Sequence, residues 1–124
     1  LLGTKVTEVN QNRITAAKML VQEFGSHIVL KGHHSLVASG NKVSVNLTGN
    51  SGMASAGMGD VLTGIIAALI ANNENLQFNL NETVKLAVYL HGLAGDFAAK
   101  SGEIGIIATD VIEQLPKAIQ DCSH

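Results

Sequence analysis

The chain has 124 residues, of which 46% are hydrophobic, and this fits one domain with a sizeable core. A formal net charge of -2 argues against a basic surface that would bind nucleic acid or a membrane. An aromatic content of 3% argues against a platform on which bases would stack. The expected partner is a small molecule. Because the chain has one cysteine, Cys122, it forms no internal disulfide, which favours a reducing compartment, with a cytoplasmic location as the default.

The first elements predicted are a helix, a strand and a hairpin. Apolar residues at helical spacing predict a helix over 12–24. The β-rich run 27–31 predicts a buried strand that leads into a loop at a sheet edge, where ligands commonly bind. Two further strand-like runs, 35–39 and 42–47, are joined by Gly40-Asn41, a dipeptide typical of hairpin turns.

The rest of the chain is predicted to be mainly helical. A wide apolar stripe predicts a central helix over 60–72. Asn79, with an acid three residues later, resembles a capping box at the start of a third helix that ends near Gly102. Thr109 is expected to cap the last helix, which Pro116 should bend or shorten. A strand, a hairpin and then helices indicate part of an α/β layer.

The segment 50–60 has the composition of an anion-binding loop. Small residues dominate it, so its backbone can approach a ligand closely, and it ends in Gly57-Met58-Gly59-Asp60 at the start of the predicted helix. The amides and positive dipole end of a first helical turn attract an anion such as phosphate. A carboxylate repels that anion, so Asp60 is better placed to accept a proton from a hydroxyl that attacks the phosphate.

Other interpretations of this segment stay open. Asp60 is also a common type of helix cap, and the glycines alone make an ordinary loop. Met53 and Met58 flank the glycines, where their side chains would pack against an adenine or fill gaps in the core. The Walker A and dinucleotide-binding patterns are absent, which disfavours those two classes of nucleotide protein.

The remaining polar candidates have plainer interpretations. His33 and His34 show no ligand spacing with the other histidines, so no transition-metal site is expected. His91 lies on a predicted helix and is interpreted as a packed or capping histidine. Asp96 fits a solvated helix position, and Cys122 fits an inert surface thiol.

The sequence also resembles a known family. NLTGNSGMASAGMGDVLTGIIAALIA, at 46–71, resembles the signature of the ADP/ATP-dependent (S)-NAD(P)H-hydrate dehydratases, a branch of the ribokinase-like superfamily. The resemblance extends through VLKG at 29–32, HGLAGDFAA at 91–99 and IATDVIEQLP at 107–116. It implies an α/β fold of the ribokinase-like three-layer α/β/α type. The whole chain, 1–124, would be a single partial domain with a few strands and about four helices, equivalent to the C-terminal half of the family's domain.

The resemblance implies a repair enzyme that uses ADP or ATP as co-substrate, with Mg²⁺, to return hydrated NADH or NADPH to the intact cofactor. The hydroxyl of the hydrated ring is phosphorylated and the phosphate is then eliminated. Asp60 matches the family's catalytic and substrate-binding aspartate. The residues that match its nucleotide-binding positions are Lys31, Gly32, His33, His34, Ser35, Asn50, Gly57, Met58 and Gly59.

The sequence departs from the family at two loop positions and in its extent. Ser51 stands where the family usually has proline, and Ser35 stands where it usually has threonine. The chain starts at Leu1 without a methionine and lacks a counterpart of the family's N-terminal half, so we expect part of a longer protein that exposes apolar surface and forms a homo-oligomer. Neither export nor a membrane span is predicted. A small-metabolite kinase and an inactive, truncated nucleotide-binding fragment remain alternatives.

Overall fold

The structure is a computed structural model that describes residues 12–32 and 34–123. The chain divides into two compact units, Leu1–Asn46 and Leu47–His124. Within the described residues, no helix is both long and apolar enough to cross a membrane.

In the described residues of the first unit, one helix packs on a three-stranded antiparallel sheet. The helix is α1 (Arg13–Phe24), and the strands are β1 (Ile28–Leu30), β2 (Leu36–Ser39) and β3 (Lys42–Val45). The strand order is β1-β2-β3, with β2 paired to both neighbours. Because β2 is central, its residues are the most buried and pack with Ala17 and Val21 of α1. The predicted hairpin is confirmed, whereas β1 is half-buried rather than fully buried.

The second unit is helical and is built around its longest helix. Its helices are α2 (Met58–Ala71), α3 (Asn73–Leu76), α4 (Leu80–Ala98) and α5 (Ala108–Cys122), with 3-10 turns at Ser51–Met53 and Ala99–Ser101. Helix α4 packs against both α2 and α5 and contributes nine buried residues, so it is the central element. The apolar stripe of α2 predicted that this helix would be the central one. That prediction is wrong, since only Met58 and Leu62 of α2 are buried.

Two details of helix α5 differ from the sequence prediction. Its N-cap is Ile107, and Asp110 accepts a hydrogen bond from the Ile107 amide at 2.9 Å, so Thr109 is not the cap. The helix continues through Pro116 to Cys122, so Pro116 does not shorten it, and a bend at this residue stays a prediction. Pro116 lies on the exposed side, where the loss of one backbone hydrogen bond does not leave a buried polar group.

Candidate active site

The glycine turn at residues 57–60, which the sequence predicts to bind an anion, lies at the start of α2 and is called the anion turn. Gly57 is the N-cap of this helix, with φ 85° and ψ -10°, a left-handed conformation that favours glycine. The helix begins at Met58, earlier than predicted, and the amide of Val61 donates a hydrogen bond to the Gly57 carbonyl at 3.0 Å. The glycine thus allows the sharp change of chain direction that starts the helix.

Two backbone amides of this turn are available to a ligand. The first amides of an α-helix have no carbonyl four residues back within the helix. The Met58 amide donates to the Ser55 carbonyl at 3.4 Å, but no hydrogen bond among the described residues is donated by the amide of Gly59 or Asp60. Both residues are exposed. Together with the positive end of the helix dipole, these amides can bind an anion.

A second helix begins beside the same turn. A methyl group added at Gly57 would lie 3.2 Å from the Cβ of Ala108, the first residue of α5. The hydroxyl of Ser55 also donates to the Ile106 carbonyl at 3.1 Å. The N-terminal ends of α2 and α5 therefore lie close to one loop, and both dipoles favour negative charge there.

Asp60 does not cap its helix. It is the third residue of α2, a position that Asp110 occupies in α5 and Glu82 in α4. Asp110 bonds the Ile107 amide, and Glu82 accepts from the Asn79 side chain at 3.0 Å. The Asp60 carboxylate makes no hydrogen bond within the described part of the chain, and it is exposed. The capping interpretation is therefore wrong, and the carboxylate is free to meet a substrate.

The two methionines of the loop pack inward. Met58 is 2% exposed and belongs to the core formed with Leu90 and Ile106. Its side chain is therefore not available to an adenine, so only its backbone remains as a predicted nucleotide contact. Met53 is half-buried and packs against the same core. The gap-filling interpretation describes both side chains.

Asn50 and Asp96 tie the loop to α4. The Asn50 side-chain amide donates to Oδ1 of Asp96 at 3.0 Å, and its oxygen accepts from the Gly52 amide at 3.0 Å. Oδ2 of Asp96 accepts from the Gly49 amide at 2.9 Å. Asp96 is half-buried, so its interpretation as a solvated residue is wrong. Asn50 was predicted from the family motif, whereas Asp96 was missed because its partners lie on a distant loop.

The opposite side of the loop contacts the segment that precedes α5. The hydroxyl of Ser51 donates to Oε2 of Glu103 at 2.7 Å. A methyl group added at Gly52 would lie closer than van der Waals distance to the Glu103 carbonyl and to Ile106. Serine at position 51, where the family usually has proline, therefore supplies a hydrogen bond of its own. The loop is held on two sides.

The other predicted nucleotide-binding residues lie in the first unit, in the connection between β1 and β2. Lys31, Gly32 and His34 are exposed, and His34 adopts a left-handed φ of 59°. The hydroxyl of Ser35 donates to the Gly32 carbonyl at 3.4 Å, which closes a short turn. His33 lies outside the described residues. The exposed backbone of such a turn is suited to binding a phosphate or an adenine. The nucleotide-binding roles of these residues remain predictions.

Sequence reasoning missed Arg13, which lies beside this connection. Its guanidinium donates to the Leu30 carbonyl at 3.1 Å, where β1 ends. A methyl group added at Gly32 would lie 2.9 Å from the nearest guanidinium nitrogen. Glycine at position 32 therefore leaves room for the Arg13 guanidinium to lie against the loop. Helical spacing gives no indication of this contact, because it joins the start of α1 to the end of β1.

The predicted packing of His91 and the predicted surface position of Cys122 are confirmed. His91 is 6% exposed within α4, as expected of a packed histidine, and Cys122 is an exposed free thiol. Across residues 12–32 and 34–123, the acidic residues, histidines and cysteine form no cluster of three or more that would hold a metal ion by themselves.

Comparisons with known proteins agree with the family resemblance. The sequence model described as NAD(P)H-hydrate dehydratase matches residues 1–117. The bifunctional NAD(P)H-hydrate repair enzyme Nnr of Vibrio cholerae is 47% identical over 116 residues, which is 93% of this chain and 23% of that protein. The ADP-dependent (S)-NAD(P)H-hydrate dehydratase of Neisseria meningitidis is 40% identical over 114 residues, which is 90% of this chain and 37% of that protein.

A solved structure shares the fold. The ADP/ATP-dependent NAD(P)H-hydrate dehydratase from Bacillus subtilis, co-crystallized with ATP/Mg²⁺ and soaked with CoA, superposes with a TM-score of 0.86 at 29% identity. The match covers 97% of this chain and 44% of that one. The predicted α/β, ribokinase-like fold is confirmed. The chain spans less than half the length of each of these relatives.

Proposed function

Because the chain belongs to the NAD(P)H-hydrate dehydratase family, we propose that it carries the phosphate loop and catalytic carboxylate of an ADP- or ATP-dependent (S)-NAD(P)H-hydrate dehydratase. The observation that carries this proposal is the state of Asp60. Its carboxylate is exposed in the first turn of α2 and makes no capping hydrogen bond there. It lies next to the backbone amides of Gly59 and of Asp60 itself. An anion site and a proton acceptor thus lie on the same helical turn.

The proposed reaction uses these groups in two stages. The hydroxyl oxygen of the hydrated nicotinamide ring attacks the terminal phosphorus of the nucleotide while Asp60 accepts the hydroxyl proton. The bond from phosphorus to the nucleotide oxygen breaks, and the amides of Gly59 and Asp60 offset the charge on the transferred group. The ring C–O bond then breaks with release of phosphate, the neighbouring carbon loses a proton, and NAD(P)H forms.

The rest of the nucleotide is proposed to contact the other predicted positions. Lys31 supplies a cation, and the backbone of residues 32–35 supplies amides and carbonyls in a turn. Asn50 is proposed to act mainly through the loop, because its side-chain amide bonds Asp96 at one end and the Gly52 amide at the other. Gly57 and Met58 contribute backbone only.

Mg²⁺ fits this site as a companion of the nucleotide. Such ions keep several waters and bind through substrate phosphates with few protein carboxylates. The exposed Asp60 carboxylate is the acidic group in the turn that would face such a complex. When bound, the ion offsets phosphate charge, whereas proton acceptance remains with Asp60.

Three broader proposals accompany the activity. We propose that residues 1–124 form part of one ribokinase-like domain and that the protein acts in the cytoplasm. We also propose that the chain forms a homo-oligomer, because α2 is apolar but only partly buried, with Ile70 45% exposed. Light scattering tests this last proposal, and a monomer at micromolar concentration would contradict it.

The activity is tested with the chain expressed together with any flanking sequence that its gene encodes. NADPH-hydrate and ADP or ATP are supplied, and the recovery of reduced-nicotinamide absorbance is followed. We expect Asp60→Asn to lower the turnover rate at least about 100-fold while ADP affinity changes little, since only proton acceptance is lost. The matched control is Asp121→Asn, which removes an exposed carboxylate on α5 and should leave turnover unchanged.

The same assay separates the alternatives. Undiminished turnover in Asp60→Asn would contradict the role as proton acceptor. Net phosphorylation of an alcohol without recovery of NADPH would favour a small-metabolite kinase. Nucleotide binding without turnover of any substrate would favour an inactive fragment.

A further inference from the structure

The carboxylate of Asp96 determines how the loop before the anion turn is held. An ionised carboxylate only accepts hydrogen bonds, so its two oxygens require donors from the loop. The Gly49 amide supplies one donor, at 2.9 Å, and Nδ2 of Asn50 supplies the other, at 3.0 Å. Both bonds are charge-assisted, which makes them stronger than bonds between neutral groups.

This arrangement also fixes the orientation of the Asn50 side chain. Because Nδ2 must face the carboxylate, Oδ1 faces the opposite way, where it accepts from the Gly52 amide at 3.0 Å. Asn50 is the N-cap of the 3-10 turn Ser51–Met53. Hydrogen bonds therefore run from α4 through Asp96 and Asn50 to the backbone of this turn.

The same face of α4 is shaped to receive the loop. A methyl group added at Gly92 would overlap Thr48, and one added at Gly95 would overlap the Met53 side chain. The Thr48 hydroxyl donates to the Tyr89 carbonyl at 2.9 Å. Helix positions three or four apart lie on one face, so these glycines and Asp96 form a single docking surface for the loop.

The contact on the other side of the loop is weaker. The Ser51 hydroxyl meets Glu103 at 2.7 Å, but both residues are exposed and water competes for their hydrogen bond. Asp96 and Asn50 are half-buried, so water competes less for theirs. The Asp96 contact is therefore the stronger of the two restraints on the loop that leads to Gly57.

We propose that Asp96 is a positioning residue for the nucleotide phosphates and acts through Asn50. It sets where the backbone of residues 49–53 lies, and thereby where the loop presents the amides of Gly59 and Asp60 to a phosphate. Asp96 itself takes no proton and touches no substrate. This inference rests on the nucleotide-binding part of the proposed function.

The test exchanges the two side chains. Asp96→Asn leaves one acceptor oxygen for two loop donors. The double variant Asp96→Asn with Asn50→Asp restores every bond, because the new amide accepts from Gly49 and donates to the new carboxylate, which accepts from Gly52. The double variant also keeps the net charge. The control is Asp121→Asn, an exposed carboxylate on α5.

The readouts are the Kd for ADP by calorimetry, the KM for each substrate and the melting temperature. We expect Asp96→Asn to raise the Kd for ADP about tenfold, because a charge-assisted bond to the loop is lost, and to leave the KM for NADPH-hydrate unchanged. The double variant should return the Kd to within about threefold of the wild type. A purely structural role would lower the melting temperature but leave the Kd of the folded protein unchanged, and that result would overturn the proposal.

A second variant covers the case in which Asp96→Asn fails to fold. Asn50→Ala keeps the bond between Asp96 and the Gly49 amide but removes both bonds of the Asn50 side chain, one to Asp96 and one to the Gly52 amide, so weaker ADP binding is again expected. An unchanged Kd in this variant would refute the proposal. If the wild type binds ADP but does not convert NADPH-hydrate, the proposed activity fails while this inference is still judged on the Kd. If the wild type binds neither ADP nor ATP, both the proposed activity and this inference fail.

Discussion

The close approach of the loop to α4 predicts opposite effects for the same substitution at two helical glycines. Gly64 of α2 is exposed, and a methyl group added there meets nothing within 4 Å. Gly64→Ala should therefore stabilise the fold by about 0.5–1 kcal/mol through helix propensity alone. Gly92→Ala has the same propensity gain, but its methyl group would overlap the backbone and side chain of Thr48.

The cost at Gly92 exceeds the gain. Overpacking a tight contact costs about 1–3 kcal/mol, and a loop that moves away also loses the hydrogen bond from Thr48 to the Tyr89 carbonyl, worth about 1 kcal/mol. Against a propensity gain of ~1 kcal/mol, the expected net destabilisation is about 2 kcal/mol. Because backbone atoms of Thr48 are involved, shortening its side chain should not restore stability.

The assay is urea unfolding followed by circular dichroism, with both variants and the wild type measured side by side. A change in the midpoint without a change in the m-value reports stability. ADP binding should weaken in Gly92→Ala and remain unchanged in Gly64→Ala. If Gly92→Ala unfolds at the same or a higher urea concentration than the wild type, the loop does not pack on α4 as described.

Two further substitutions test the turn and a helix cap. Gly57→Ala forces a side chain into a φ of 85° and against Ala108, so we expect about 1–3 kcal/mol of destabilisation together with weaker ADP binding. Urea unfolding and calorimetry measure the two effects, and a neutral result in both would contradict the strained turn. Asn79→Ala removes the side-chain acceptor of the Glu82 amide at 2.8 Å and should cost about 1 kcal/mol without altering ADP binding. An altered Kd in that variant would mean that the cap of α4 affects the distant loop.

Features that depend on neighbouring residues were predicted from the sequence. Gly25 adopts the left-handed conformation that ends α1, Asn79 caps α4, and Gly40 makes the hairpin turn with φ 57°. Each signal consists of a residue type whose conformational preference or short side chain acts within a few positions. Local chemistry is enough to place these boundaries.

Features that depend on partners distant in the sequence were not predicted. Asp96 is 47 residues from Gly49, and Arg13 is 17 residues from Leu30, so no spacing rule connects them. One local boundary was also predicted wrongly: Thr109 was chosen as the cap from its residue type, whereas Asp110, only three residues from Ile107, bonds the Ile107 amide, and the helix starts earlier. The central position of α4 likewise depends on packing between helices rather than on the apolar content of one helix.

Asp60 and Asp96, two of the aspartates in the second unit, show that contacts distinguish residues of the same type. Both oxygens of Asp96 accept hydrogen bonds from the loop, so this carboxylate holds Gly49 and Asn50 in place. Asp60 has no such bonds among the described residues and is exposed. The run His91-Gly92-Leu93-Ala94-Gly95-Asp96 then has one physical explanation: its glycines admit the loop and its aspartate holds it. In the proposed function, the carboxylate of Asp96 orients the backbone of the loop, and the carboxylate of Asp60 accepts the proton.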